Sequence, residues 1–520
     1  MIKELEITLP PEEINKTTCI EKEVAREIRV PLEKINTVEV LKRSIDARKQ
    51  NVKFRLKVRA YTHESHIKEE YVKKNYQYVK DKDAVIIVGA GPAGIFAAMR
   101  LLELGLKPII IDRGKDVHER KTDIALINRS HIVNPDSNYC YGEGGAGTYS
   151  DGKLYTRSTK RGDVGYVLST FVEHGATKDI LIDAHPHIGT DRLPMIMYMM
   201  RQTILEHGGE FYFESRITDF IIKNKTIKGV IDHKGTKFEG IAVILATGHS
   251  ARDVYDIFFK NKLLVEAKPF AMGVRVEHPQ KLIDSIQYHR PSRGEFLPAA
   301  TYQLVTQVED RGVFSFCMCP GGVIVPSATD VEQVVVNGMS NSKRNSDYAN
   351  SGIVVSVELQ DLAKYSEHGA KAGLIFQQEI EKAAYNAGEA GRYAPAQRLT
   401  DFVSNKASAN LSKCSYNPGV IAADLNEILP KGISQRLHKA FTIFGEKMKG
   451  YYTSEANVLG VESRTSSPVK LPRDPENMQH LQVKNLYPCG EGAGYAGGIV
   501  SSALDGINCA EKIAMTVKGV

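Results

Sequence analysis

Between residues 52 and 59 the chain alternates without a break: Val52, Phe54, Leu56 and Val58 are apolar, and Lys53, Arg55, Lys57 and Arg59 are cationic. A period of two is that of a strand with one buried and one wet face. A second strand over residues 3–9, a helix over residues 11–28 and a further strand complete a small α+β unit spanning residues 1–80. At Ala84 the pattern changes. Unbroken apolar runs of strand length, such as residues 84–88 and 241–246, alternate with helical periodicity as far as residue 265, which is the grammar of a parallel sheet covered on both faces. Residues 266–482 mix strands and helices without that alternation, and residues 483–520 return to strand, glycine-rich turn and helix. The patterning predicts a discontinuous α/β domain of residues 83–265 and 483–520, interrupted by an inserted α+β cap or substrate domain of residues 266–482. Both ends of such an insert must lie close together.

The run over residues 84–88 leads into Gly89-Ala90-Gly91-Pro92-Ala93-Gly94, a G-x-G-x-x-G turn opening a helix. Gly89 permits the tight turn, Gly91 lets backbone approach a pyrophosphate, and Gly94 lets the helix pack on the strand, so the helix offers its free N–H groups to an anion. Pro92 and Ala93 belong to the same cradle. A second strand over residues 108–111 ends in Asp112, near the offset at which an acid meets ribose hydroxyls, with Arg113 beside it. On this reading, loss of Asp112 would weaken binding of a dinucleotide and spare a mononucleotide.

Near the C-terminus, Gly490-Glu491-Gly492 follows a short strand, and Gly498-Ile499 opens a helix. This resembles the closing motif of glutathione-reductase-type flavoproteins, and Ala246-Thr247-Gly248, ending an apolar run, resembles their A-T-G signature. The resemblance implies FAD rather than NAD, with Glu491 near the ribityl chain or phosphate, the last helix pointing at the ring, and adenine near Arg216 and Ile217. Three alternating segments between residues 217 and 241 suit the β-meander of that fold. The loop over residues 141–154 also matches G-x-G-x-x-G formally, but it follows a poor strand and soon meets a turn. It is similar to the loop flanking the isoalloxazine in FAD enzymes with one Rossmann unit, which implies that Gly145, Thr148, Ser150, Asp151, Gly152 and Lys153 lie beside the cofactor.

Over nearly its whole length the chain resembles a bacterial family of uncharacterised FAD-dependent dehydrogenases, on residues 44–48, 144–153, 273–279 and 490–498. Asp112 departs from the glutamate that many FAD proteins carry there. The fold class implied is α/β, with a discontinuous Rossmann-type FAD-binding domain containing a β-meander, the inserted α+β cap and the small N-terminal α+β domain. The activity implied is that of an FAD-dependent dehydrogenase or reductase acting on a small organic substrate. Without a second Rossmann unit, NAD(P)H is expected only as a transient electron donor.

Composition narrows the remaining choices. With 520 residues, 42% hydrophobic and 25% charged, the chain fits an ordinary globular protein of two or three domains. Its apolar runs fall far short of the roughly 20 residues needed to cross a bilayer, and the start carries acids where a signal peptide would be basic. A cytoplasmic protein without membrane insertion is expected. Seven scattered cysteines read as reduced thiols. The net charge of +6 supports an anionic partner only weakly, although the basic strand face together with Lys42, Arg43, Arg48 and Lys49 would suit RNA or a phosphorylated ligand. A solvated strand face is the competing reading. Two further functions therefore stand beside the oxidoreductase: an RNA-binding or RNA-modifying flavoprotein, and a non-catalytic FAD-binding interaction protein.

In the cap, Arg275 and Glu277 stand at i and i+2 on a strand ended by His278, and Glu462 and Arg464 form a second polar pair near the return to the FAD domain. Arg275, Glu277 and Arg464 are the candidate catalytic residues, for anion anchoring and proton transfer, against structural ion pairing. His249 follows the A-T-G turn, which would place it near the cofactor; a packed or solvent-facing histidine is the competing and stronger expectation. His185 and His187 lack a matching ligand set, and no metal is expected. Cys317 and Cys319, at strand spacing, would hold their sulfurs about 7 Å apart and read as buried thiols. Met195, Met197, Met199 and Met200 read as the core face of a helix.

Overall fold

The computed structural model describes residues 2–62, 74–156 and 161–519. Its centre is a five-stranded parallel sheet in the order Leu486–Pro488, Ala242–Leu245, Ala84–Val88, Lys107–Ile111, Glu210–Tyr212. The middle strands are apolar throughout because helices cover both faces. Val88 lies in register with Leu245 and Ile111, and Leu245 with Pro488. The turns after these strands therefore emerge along one carboxyl edge, where open α/β sheets bind ligands.

Two helices back this edge. The helix Pro92–Leu104 follows the glycine turn, and the helix Ile499–Lys518 lies along it. Their contact is close enough that a Cβ at Gly506 would stand 2.0 Å from the Ala93 carbonyl oxygen, so only glycine permits the approach. The antiparallel meander Ile217–Lys223, Thr226–Asp232, Lys237–Glu239 fills the crossover to Ala242–Leu245.

The inserted segment leaves and returns through one short ladder, Glu266–Ala267 against Val469–Lys470, so the chain ends of the insert are zipped together. Between them a seven-stranded mixed sheet is built around Phe270–Pro279, whose neighbours are Tyr348–Val357 and Asn457–Glu462. The N-terminal unit is a separate three-stranded sheet with Lys53–Thr62 between Ile2–Leu9 and Ile35–Asp46. Its apolar face, including Phe54, Leu56 and Val58, joins the same core as the cap sheet. Of the expected unit over residues 1–80, residues 63–73 lie outside the described residues. No helix among the described residues is long and apolar enough to cross a membrane.

Three expectations change here. The first helix is split, with a 3-10 turn Pro11–Glu13 followed by the helix Thr17–Ile28. The row of cations is not an open basic face: Lys57 and Arg59 pair with Glu4, Arg59 also reaches Glu39, and Arg55 reaches Glu6 and Asp46. The flanking strands interleave acids that alternation within one strand cannot reveal. On the helix Leu193–Glu206, Met197 and Met200 are buried, but Met195 and Met199, four apart, face outward at 57% and 43% exposure.

Candidate functional site

The glycine turn places Gly91 as the N-cap of Pro92–Leu104, and Gly498 caps Ile499–Lys518; neither helix start has a side-chain cap. Pro92, Ala93 and Gly94 form the first turn of one, and Ile499 opens the other. The loop over residues 144–147 crosses both starts. A Cβ at Gly145 would lie 3.2 Å from the Gly91 Cα, and one at Gly147 would lie 3.2 Å from Ile499 and 3.3 Å from Pro92. By contrast, Cβ atoms at Gly248, Gly497 and Gly498 would meet nothing within 4 Å. Two sets of free helix N–H groups thus face an open, glycine-lined space, which fits a dinucleotide pyrophosphate.

Loop 141–154 is pinned mainly by a residue with no motif. Arg120 is fully buried, and its guanidinium donates to the carbonyls of Asn138, Glu143 and Gly145 at 2.8, 2.8 and 3.0 Å. The Thr148 hydroxyl donates to the Glu143 carbonyl, and the Ser150 hydroxyl donates to the Gly147 carbonyl while accepting the Gly152 N–H. These side chains fix the loop itself. No linear pattern marks Arg120, because its partners are carbonyls far along the chain.

Asp112 is buried, and its oxygens accept three backbone N–H groups: Ala90 at 2.8 Å, Gly114 at 2.8 Å and Gly142 at 3.1 Å. It therefore ties the glycine turn to loop 141–154, a role that sequence spacing did not suggest. Arg113 lies over the Tyr141 ring at 4.5 Å and pairs with Asp253 at 2.6 Å. Arg113 and Arg216 both approach Asp136, at 3.9 and 3.7 Å, and its buried Oδ1 has no hydrogen-bond partner. Asp136, next to Arg216 and the meander's first residue Ile217, is a polar acceptor that the sequence reading missed.

The other side of the space is equally ordered. The Ala246 N–H donates to the Val88 carbonyl, and a Cβ at Gly492 would lie 2.5 Å from the Gly248 carbonyl oxygen, so the turns 246–248 and 490–492 touch through backbone. Thr247 lies between Ala246 and Gly248. His249 joins three elements: its Nδ1 lies 3.1 Å from Glu491 and its Nε2 3.0 Å from the Arg464 carbonyl. Burial pushes the Glu491 carboxyl up, but the His249 ring and the Gly498 N–H hold it below its ordinary value. The Gly490 N–H donates to Asp505, which Arg473 clasps at 2.6 and 2.9 Å. Cys489, Asp505 and Cys509 bring ligand-type atoms within 4.8 Å of one another, with Asp505 already engaged by Arg473.

The cap residues pair differently from expectation. Arg275 does not join Glu277. Fully buried, it donates to Glu462 at 2.7 Å, Asn350 at 2.7 Å and Asn337 at 3.3 Å. Glu277 accepts the Ser415 N–H at 2.8 Å and the Ser415 hydroxyl. Glu462 and Arg464 also part company, because Arg464 turns to Glu381, which holds Arg252 as well. Burial pushes Glu462 up to about 7 despite the Arg275 guanidinium beside it. Strand geometry sends near neighbours in sequence to different partners.

Asp151 latches the cofactor-side loop to the cap through Arg344 at 2.5 and 3.0 Å and through Ser340, with Lys153 at 3.8 Å. Burial alone would push the Asp151 carboxyl up, but Lys153, Arg344 and Ser340 hold it at about 2. A depressed carboxyl contributes stability above its unfolded value that is lost as pH falls through the folded one. Asp151→Asn is expected to lower unfolding free energy by about 2 kcal/mol at pH 7, with the gap to wild type closing between about pH 4 and pH 2. Urea unfolding at stepped pH measures this; a gap independent of pH would mean that the charge contributes nothing.

Comparison with known proteins follows the same lines. Residues 82–145 match an FAD binding domain family, residues 269–465 match the family described as FAD-dependent protein, C-terminal domain-like, and residues 1–61 match a domain of unknown function. An uncharacterised protein of Clostridium beijerinckii is 37% identical over 515 residues, covering 95% of each chain. Among solved structures, the flavin-dependent brominase Bmp2 shares 13% identity at a TM-score of 0.37, covering 84% of this chain and 80% of its own. CtdE in complex with FAD shares 12% identity at a TM-score of 0.33, covering 83% and 84%. Likenesses of that size carry no argument about substrate or reaction.

Proposed function

The chain belongs to the same FAD-dependent family as its Clostridium beijerinckii relative, and from that premise we propose that it is a dehydrogenase or reductase acting on a small, anionic organic substrate. FAD is its cofactor. The observation that carries the reading is the convergence of two uncapped helix starts and a glycine-lined loop on the carboxyl edge of the parallel sheet, with that loop tied through Asp151 to Ser340 and Arg344. When bound, FAD supplies the electron transfer itself. The chain's part is to hold the pyrophosphate on the N–H groups following Gly91, to keep water out with the cap, and to orient the substrate.

An anionic substrate is supported by the charge balance at the cap boundary. Glu381 faces two arginines, Arg252 and Arg464, and Asp151 faces Arg344 and Lys153. Each cluster holds one positive charge more than it neutralises, which favours an anion nearby. Arg464 and Lys153 are the proposed anchors. Arg275 and Glu277, committed to partners inside the cap, would act by shaping it. NAD(P)H remains a transient donor, since a second dinucleotide-type parallel sheet is absent among the described residues.

Anaerobic bleaching of the flavin against a library of small organic acids, NADH and NADPH tests this. Rapid, saturable bleaching by an acid is the expected result. A flavin that stays bound and resists every donor, dithionite included, would favour a non-catalytic role. The same preparation tests the terminal helix, whose first free N–H belongs to Ile499. Proline is tolerated at a first helical position, so Ile499→Pro removes one donor and is expected to lower the flavin reduction potential by weakening support for charge that accumulates on reduction. An unchanged potential in a folded, FAD-loaded variant would count against that contact.

A further inference from the structure

In a regular strand Cys317 and Cys319 would hold their sulfurs apart on one face. The strand Arg311–Cys319 is not regular at its end. Cys317 has φ +46°, and the pairing with Tyr348–Val357 slips between Phe316 and Cys319. A bulge with one residue in the left-handed region re-aims its neighbours. The Cys319 thiol turns back to the Cys317 carbonyl at 3.3 Å, so the two cysteines fold toward each other at the bulge. Both cysteines are free, as the sequence reading expects, but the bulge removes the regular strand spacing on which a separation of about 7 Å rests. Cys319 is buried, whereas Cys317 is partly exposed.

The bulge is held by two cations. Arg275 reaches the Cys317 carbonyl at 3.4 Å, and the Lys153 ammonium donates to the Met318 carbonyl. Lys153 ends the loop that crosses both uncapped helix starts, so one segment touches the cofactor cradle and the bulge. Three cations, Arg275, Arg344 and Lys153, face two carboxyls here, Glu462 and Asp151. The neighbouring Cys319 thiol lowers the Cys317 thiol, with Lys153 and Arg275 helping and burial opposing. The Cys317 thiol, with burial, pushes Cys319 up. A thiolate beside a protonated partner thiol is the arrangement of an exchanging dithiol.

We propose that Cys317 and Cys319 form a redox-active dithiol that exchanges an electron pair with the FAD of this protein. The proposal rests on the FAD reading above. In the oxidising direction the Cys319 S–H bond breaks and a Cys317–Cys319 S–S bond forms. The thiolate and thiol give up two electrons and one proton, all taken up by FAD, and charge and atoms balance. In the reverse direction the disulfide accepts them and reopens. The pair Cys489 and Cys509 is a natural control, since both are fully buried.

The experiment uses the FAD-loaded protein, with flavin content measured first, and the variants Cys317→Ser, Cys319→Ser and Cys489→Ser. Anaerobic dithionite titration is expected to deliver two electron pairs per flavin to wild type and Cys489→Ser, and one to each of the other variants. Alkylation followed by peptide mass mapping is expected to find Cys317 and Cys319 linked after oxidation and both alkylated after reduction. A loaded wild type that takes one electron pair, or that leaves both cysteines alkylated after oxidation with ferricyanide, overturns the proposal. If the protein holds no FAD, the cofactor reading fails and the proposed exchange falls with it, while mapping in a glutathione redox buffer separately decides whether the disulfide forms. Mapping needs only wild type, so a variant that does not fold leaves the decision intact.

Discussion

Glu381→Ala is expected to lower the unfolding free energy by about 3–5 kcal/mol, the cost of leaving buried charges without their partner. Glu381 lies fully buried on the helix Ala372–Ala387 and takes Arg252 at 2.8 and 2.9 Å, Arg464 at 3.0 and 3.0 Å and the Ser463 hydroxyl at 2.7 Å. Burial would raise its carboxyl, but the two guanidiniums hold it far below the ordinary range. Its contribution therefore persists at neutral pH and is lost only in strong acid. Arg252 begins the helix following the turn 246–248, and the Arg464 carbonyl holds His249, so the node fastens the cap to the cofactor edge. Flavin release on heating is expected to shift downward together with the unfolding midpoint. Glu381→Gln keeps acceptors without charge and should fall between the two. Urea unfolding followed by flavin fluorescence measures both quantities; a loss of no more than about 0.5 kcal/mol, as at an ordinary surface site, would mean that the arginines find other partners.

Asp112→Ala is expected to weaken both FAD and FMN, with FAD losing about ten- to one-hundred-fold in affinity. The spacing rule alone implies a ribose anchor, whose loss FMN would not notice. The structure adds a second duty, because the N–H groups of Ala90, Gly114 and Gly142 all point at this carboxylate. A carboxylate offers about four lone-pair sites, which leaves room for one ribose hydroxyl beside the three backbone donors. Removing it orphans those donors and frees the glycine turn from loop 141–154. The apoprotein is expected to lose about 2–4 kcal/mol of stability. Titrating both flavins into apoprotein, with circular dichroism as a check on folding, separates the duties. Unchanged FMN affinity with undiminished stability would restrict Asp112 to the ribose.

The cofactor edge was legible in the sequence because its rules are local. An apolar strand, glycines at fixed offsets, a helix and an acid follow one another within about thirty residues, and steric crowding at Gly94 or Gly506 acts over a few ångströms. The turns at Ala246-Thr247-Gly248 and Gly490-Glu491-Gly492 were read by resemblance, and the fold brings them into backbone contact. Side-chain pairing was not legible. Arg275 and Glu277 are two residues apart in one strand, yet Arg275 finds Glu462 across 187 positions and Glu277 finds Ser415 across 138. Glu381 carries no motif, and its arginines stand 129 positions before it and 83 after it. The cations of residues 53–59 looked unpartnered only because their acids lie on neighbouring strands, and Cys317 met Cys319 only through a bulge in strand pairing. The sequence by itself determined the strand, glycine turn and helix that open the FAD-binding region, since backbone sterics and periodicity are written residue by residue. Tertiary structure alone decided which buried charges and thiols meet, because a desolvated group must take whichever partner the fold brings within a few ångströms, however distant in the chain.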